Sequence, residues 1–205
     1  MAKSRPKPAR KAPKSSRSGA AELARLRGAL DETKRQLDGT RTRLRELERL
    51  VDEDPLMPVA NRRAFLRELT RMMAFAQRYG GTGSLVYFDL NNLKQINDSH
   101  GHAAGDAALL QIARLLVDGV RASDVIGRLG GDEFGLLLVQ ADAEAAERKA
   151  AELAQLIEAS PLEWQGVRVP LAVAYGVRAF TGGENAERVL AAADRAMYRR
   201  KRKSS

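Results

Sequence analysis

Two largely apolar runs, residues 124–129 and 134–139, flank Gly130-Gly131-Asp132-Glu133, and nothing else in this 205-residue chain restricts its fold as tightly. Each run has the length of a strand, and the residues between them are turn formers followed by acids, so the segment reads as a β-hairpin. Glycines without Cβ atoms permit unusual φ angles and let a ligand lie close to the backbone, which marks Gly131 as a candidate substrate contact. A further run of buried-strand type, Ser84-Leu85-Val86-Tyr87-Phe88, ends in Asp89. If that strand and the hairpin are neighbours in one sheet, Asp89, Asp132 and Glu133 converge at one sheet edge. Oxygen ligands grouped in this way suit Mg²⁺, a hard ion that takes one or two carboxylates and completes its shell with phosphate oxygens and water. Taken alone, the same four residues read equally well as a solvated hairpin turn.

Around this hairpin the sequence predicts helices over 61–79, 104–120, 143–159 and 185–201, and a strand over 167–177. Helices interspersed with an adjacent hairpin point to an α+β domain whose central sheet is mostly antiparallel and flanked by helices. The domain begins near residue 54, where Asp54-Pro55 stops the preceding helix because a residue before proline is pushed out of the α region. Residues 20–53 predict one long helix. Leu23, Leu26, Leu30, Thr33, Leu37, Thr40, Leu44, Leu47 and Val51 alternate at spacings of three and four, and seven of these nine positions are apolar. That is the 3.5-residue period of a coiled-coil seam. With Leu23 at position a, Glu22 faces Arg27 and Arg43 faces Glu48 of a parallel partner, both attractively. The competing reading is a single amphipathic helix packed on its own domain.

The net charge of +9 is concentrated at the two ends. Residues 1–19 carry seven Lys/Arg and residues 195–203 six, with no acid in either stretch, while the body between is net acidic. A body built to bind nucleic acid is expected to carry its positive charge on the fold. The first nineteen residues read as a disordered basic arm, or as a weak contact for anionic lipid or nucleic acid. The chain has no Cys, which removes disulfides and thiolate metal sites and fits a reducing cytoplasm. No apolar run approaches the roughly 20 residues that span a bilayer, and no apolar segment of signal-peptide type follows the basic N-terminus.

The stretch after the first strand makes the reading specific. Asp89, Lys94, Ile96, Asn97, Asp98, Gly101, His102, Gly105 and Asp106 fall in the register of the GGDEF domain family, and Arg128-Leu129-Gly130-Gly131-Asp132-Glu133-Phe134 resembles that family's signature loop. Upstream, Asp54-Pro55-Leu56 and Asn61-Arg62-Arg63-Ala64-Phe65 look like its opening motif; downstream, Ala193-Asp194, Ala196-Met197-Tyr198 and Lys201 look like its closing helix. The resemblance covers about residues 54–203.

It implies a diguanylate cyclase, which joins two GTP molecules into cyclic di-GMP with release of pyrophosphate. By the same resemblance, Asp89 and Asp132 hold Mg²⁺ (or Mn²⁺ in its place) with the Leu90 carbonyl, and Glu133 sits beside the metal as ligand or proton acceptor. Asn97 and Asp106 read the guanine edge, and His102 lies near the nucleotide. The Asn92 and Leu93 amides receive the terminal phosphates, and Lys94 and Lys201 supply positive charge as pyrophosphate leaves. Each domain holds one GTP, so a homodimer is required, and the coiled coil raises the effective concentration of one domain near the other. Arg121-Ala122-Ser123-Asp124 matches the family's inhibitory product site; its bland reading is a surface ion pair at a helix–strand connection.

Several positions depart from the family pattern. Leu56-Met57-Pro58-Val59 replaces Leu-Thr-Gly-Leu, Asn91 and Leu93 stand where Asp and Phe are usual, and His100 replaces an aromatic residue. Ala174-Tyr175-Gly176 replaces Ser-Ile-Gly. A second basic residue is common near the end of the closing helix, a place that Arg200, Arg202 or Lys203 could fill. The rival readings are a catalytically silent GGDEF domain acting as a receptor for GTP or cyclic di-GMP, a coiled-coil adaptor docking through its basic tail, and a cyclase with an adenine-containing product.

Overall fold

The structure is a computed structural model that describes residues 15–204. Its contacts divide into two units between Arg49 and Leu50. The first is most of helix α1 (Ser15–Asp52), which starts five residues before the expected boundary at residue 20. Leu26, Leu30 and Leu37 of the predicted seam are exposed on this helix. The rest of the expected basic arm, residues 1–14, lies outside the described residues.

The second unit follows in the order β1 (Ala60–Asn61), α2 (Arg62–Tyr79), β2 (Gly83–Leu90), α3 (Leu93–His100), α4 (His102–Asp118), β3 (Val125–Arg128), β4 (Glu133–Val139), α5 (Ala143–Ala159), β5 (Leu162–Trp164), β6 (Val167–Val169), β7 (Val173–Phe180) and α6 (Ala186–Ser204). Five strands form one sheet in the order β1-β3-β4-β2-β7. Only β1 and β3 run parallel; the other three pairings are antiparallel. The expected α+β architecture with a mostly antiparallel sheet is thus what the chain adopts.

Strand β2 lies inside the sheet and is buried on both faces, which is why it reads as an unbroken apolar run. Alternation of side chains along the strand divides its residues between two cores. Val86, Phe88 and Leu90 join Phe134, Leu136 and Leu138 of β4 under α4 and α5. Leu85 and Tyr87 join Leu137 beneath α2 and α6, against Phe65, Leu69, Val189, Ala193 and Met197.

Local chemistry fixes the entries to the helices. Asn61 caps α2 by accepting from the Ala64 amide at 3.0 Å, while its side-chain nitrogen donates to the Val51 carbonyl at 2.7 Å. One residue thereby satisfies orphan groups at the start of α2 and near the end of α1. Arg67 of α2 grips both oxygens of Asp52, at 3.1 and 2.7 Å, and this bidentate pair holds the Asp52 carboxyl below its usual range.

Three details differ from the sequence-based expectation. The acids gather at the end of two interior strands, because β2 and β4 are flanked on both sides and have no free edge. The strand predicted over 167–177 is interrupted at Pro170, which cannot donate to a ladder. Its first part, β6, instead pairs with β5 through a two-residue turn at Gln165 (φ 50) and Gly166 (φ 81), the left-handed geometry that tight hairpins favour. Finally, Leu93–His100 forms a helix of its own, α3, where only a motif had been read.

Candidate active site

The register of β2 against β4 builds the acidic cluster. Asp89 pairs directly with Glu133, so both side chains project to the same face of the sheet, the one beneath α6. The pairing continues one step beyond the strand, where the Leu90 amide donates to the Asp132 carbonyl at 2.9 Å. Residues from two distant stretches therefore meet at one end of the sheet, as the hairpin argument required. From α6, the Lys201 ammonium forms an ion pair with Asp89 Oδ1, and the Asp89 side chain is only 14% exposed.

The turn is folded tightly on itself. The Glu133 carbonyl accepts from the Leu129 amide at 2.8 Å. A Cβ on Gly130 would stand 2.1 Å from Glu133 Oε2, so the first glycine leaves room for the Glu133 carboxylate to lie across it. The second has a different use: a Cβ on Gly131 would meet no atom within 4 Å, which leaves open space above the backbone. Glu133 also faces Tyr87. Burial pushes the Tyr87 hydroxyl well above the usual tyrosine range, and the hydrogen bond to Glu133 and its charge act in the same direction.

Residues given no role from the sequence hold this turn in place. The Arg128 guanidinium donates to the Gly130 carbonyl at 3.1 Å and to the Gly131 carbonyl at 2.8 Å, and pairs with Asp54 at 3.2 Å. Arg62 donates to the Leu129 carbonyl at 3.3 Å. The Asp54 carboxylate in turn accepts from the Leu56 amide at 2.9 Å. In the sequence these residues stood only as members of motifs, Asp54 and Arg62 in the opening one and Arg128 two residues before Gly130, with nothing to join them.

Helices α3 and α4 carry the residues expected to meet a nucleotide. Asn92 begins α3 in the left-handed region (φ 61, ψ 23), a conformation asparagine tolerates, and no side chain caps the helix start. The first amides of α3 thus have no side-chain cap, the arrangement in which a helix start can receive an anion. Lys94 is exposed on the first turn. Asn97 has a buried Oδ1 with no hydrogen-bond partner, an arrangement that costs stability unless a ligand supplies the donor. Gly105 of α4 makes room for it, since a Cβ there would stand 2.0 Å from Asn97 Oδ1. Asp106 and His102 are exposed on the first turns of α4.

Arg121 and Asp124 lie on the connection from α4 to β3. The Asp124 carboxylate accepts from the Arg121 amide at 3.1 Å and the Val139 amide at 3.2 Å, so it braces the turn, while Arg121 is exposed. Of the candidates for a second phosphate grip, Arg200 pairs with Glu147 and donates to the Tyr175 carbonyl.

For a metal, the donor set is two carboxylates and a carbonyl, all hard oxygens, and Asp89 already accepts a cation in the form of the Lys201 ammonium. Among the described residues no group of three or more His, Cys, Asp or Glu side chains is arranged to enclose an ion. The set fits an ion that takes its remaining ligands from phosphate and water, as Mg²⁺ does. No described helix is long and apolar enough to cross a membrane.

The family model described as diguanylate cyclase, GGDEF domain, matches residues 51–205. The chain is 38% identical over 149 residues to diguanylate cyclase DgcP of Pseudomonas aeruginosa, an alignment covering 73% of this chain and 22% of that protein. The crystal structure of diguanylate cyclase SiaD in complex with its activator SiaC, also from P. aeruginosa, superposes with a TM-score of 0.77 at 29% identity, over 92% of this chain and 72% of that one. The coiled coil and GGDEF domain of DgcB from Caulobacter crescentus, solved in complex with c-di-GMP, gives 0.77 at 26% identity over 86% of this chain and 94% of that one.

Proposed function

The chain belongs to the GGDEF domain family, and from that premise we propose that it is a diguanylate cyclase that condenses two GTP into cyclic di-GMP as a homodimer. The observation that carries this reading is the β2–β4 register, which sets Asp89 beside Glu133 and ties Leu90 to Asp132. Retention of all three acids favours turnover over a silent receptor.

Asp89, Asp132 and the Leu90 carbonyl are the groups that would hold Mg²⁺ or Mn²⁺, whose contribution when bound is Lewis-acid charge on the phosphates. The Asn92 and Leu93 amides at the uncapped start of α3 receive the terminal phosphates, and the open backbone at Gly131 lets the nucleotide lie close. Asn97 Oδ1 and Asp106 accept from the guanine ring N–H and exocyclic amine, a donor pair that adenine lacks. His102, at the start of α4, lines the same side. The 3′-hydroxyl of GTP on one domain attacks the α-phosphate of GTP on the other, in line with departing pyrophosphate. Glu133, braced over Gly130, is placed to accept the hydroxyl proton or to serve as a further ligand. Lys94 and Lys201 balance the charge that develops on pyrophosphate. Since one domain positions one nucleotide, catalysis consists mainly of bringing two loaded domains face to face.

The exposed leucines of α1 support a coiled-coil dimer as the device that does so. Product inhibition is assigned to Arg121, whose exposed guanidinium suits a guanine edge or a phosphate, with Asp124 shaping its turn. The reading is tested by pyrophosphate release from GTP and Mg²⁺. Wild type is expected to release it, Asp132→Ala to be inactive, and Asp106→Ala to lose preference for GTP over ATP. Full activity of Asp132→Ala would refute the metal assignment.

A further inference from the structure

Strand β7 is an edge of the sheet, and the way its outer side is covered bears on the site. Arg200, in the last turns of α6, reaches round this edge. Its guanidinium stacks on the Tyr175 ring, 4.1 Å from the centroid, donates to the Tyr175 carbonyl at 3.3 Å and pairs with Glu147 of α5. One side chain thus bridges the two helical layers and satisfies a carbonyl that an edge strand leaves unpaired. Gly176 allows the helix this close, since a Cβ there would stand 2.1 Å from the Met197 amide nitrogen. Across the ladder, Tyr175 is the partner of Phe88 and Ala174 that of Asp89. The residue after Arg200 is Lys201, the residue paired with Asp89.

We propose that Arg200, Glu147 and Tyr175 form a strap that sets Lys201 on Asp89 in the nucleotide-free protein, so that Lys201 closes the metal site until a nucleoside triphosphate offers its ammonium another partner. The inference rests on the assignment of Asp89 as a metal ligand. The physical argument is competition for one carboxylate. An ammonium at Asp89 Oδ1 neutralises the charge that attracts a divalent ion and repels that ion at contact distance. A triphosphate reverses both effects, because its anionic oxygens draw Lys201 away while supplying ligands of their own. Lys201 therefore couples the two binding events: metal is held weakly alone and tightly with nucleotide, and by reciprocity nucleotide is held tightly only with metal. Arg200 and its partners are positioning residues in this scheme, and they touch neither substrate nor metal.

The test is Mn²⁺ binding to the full chain, followed by electron paramagnetic resonance, with and without a GTP analogue bearing an α,β-methylene bridge. Thermal unfolding of each variant confirms its fold. In Lys201→Met the nucleotide-free affinity for Mn²⁺ is expected to rise roughly fivefold, the scale of losing one partly buried competing cation. The factor by which the analogue tightens Mn²⁺ binding is expected to shrink. Arg200→Gln, which keeps the ammonium but loosens the strap, is expected to move both quantities in the same direction by less. An unchanged nucleotide-free affinity in Lys201→Met overturns the inference while leaving the cyclase reading intact, provided the wild type still turns over GTP. A rise in Lys201→Met with none in Arg200→Gln overturns the strap. Failure of the wild type to bind Mn²⁺ even with the analogue overturns the inference together with the metal assignment beneath it.

Discussion

At the scale of single residues, the acids Asp89, Asp132 and Glu133 were legible because strand-ending and turn positions are visible in sequence, and the β2–β4 register then joined them. Tyr87 was not legible. It is one apolar-strand residue among several, and only the register turns its hydroxyl towards Glu133. Gly105 is a sharper case, matched to a motif but unexplained until the Asn97 side chain is seen lying where its Cβ would be. Gly105→Ala should therefore displace Asn97 and raise KM for GTP more than it lowers kcat, with a stability loss of roughly 1–3 kcal/mol from overpacking. Steady-state kinetics with both GTP and ATP would check this, and an unchanged KM would contradict it. Arg121→Ala should relieve inhibition by cyclic di-GMP and leave the initial rate as it was. Inhibition curves at matched substrate would show it, and inhibition equal to wild type would reject the site.

At the scale of elements, helices with long amphipathic patterns were predicted well, and α5 matches its expected span of 143–159. Short elements escaped. Helix α3 has only eight residues and a polar sequence, and it depends on the left-handed Asn92 to start and on contact with α4 to persist. The β5–β6 hairpin carries three residues per strand, too few for a period to register. The bracket of Asp54, Arg128 and the glycine turn was invisible for another reason: its members are joined only by the fold. Asp54 and Arg128 are 11% and 17% exposed, so removing one partner strands a partly buried charge. Asp54→Ala should cost about 2 kcal/mol of stability and lower kcat, because the Gly130 and Gly131 carbonyls lose a fixed donor. Denaturant unfolding and single-turnover rates would measure the two effects. A loss of stability without a change in rate would show that the bracket serves folding alone.

For the whole molecule, the chain divides into two units, and the proposed function gives them distinct tasks. Asp52 and Val51 are tied to Arg67 and Asn61, so the last turn of α1 belongs to the second unit. The helix of α1 was readable because its period spans many turns, and the proposed partner of its exposed leucines is a second copy of the chain. Leu30→Glu with Leu37→Glu should weaken self-association and lower specific activity most at low protein concentration, with recovery as concentration rises. Sedimentation alongside rate measurements would test this, and an equal loss at every concentration would argue against a dimerising seam.

The claim that joins these scales is that two acid-bearing strand ends, doubled across a dimer, form two phosphodiester bonds between two guanosine nucleotides. The most direct measurement is mass spectrometry of the product formed from GTP and Mg²⁺ by the purified chain, with Asp132→Ala in parallel. The account predicts a cyclic dinucleotide of two GMP units from the wild type and none from Asp132→Ala. Recovery of unchanged GTP from the wild type, or of the cyclic product from both proteins, would contradict it.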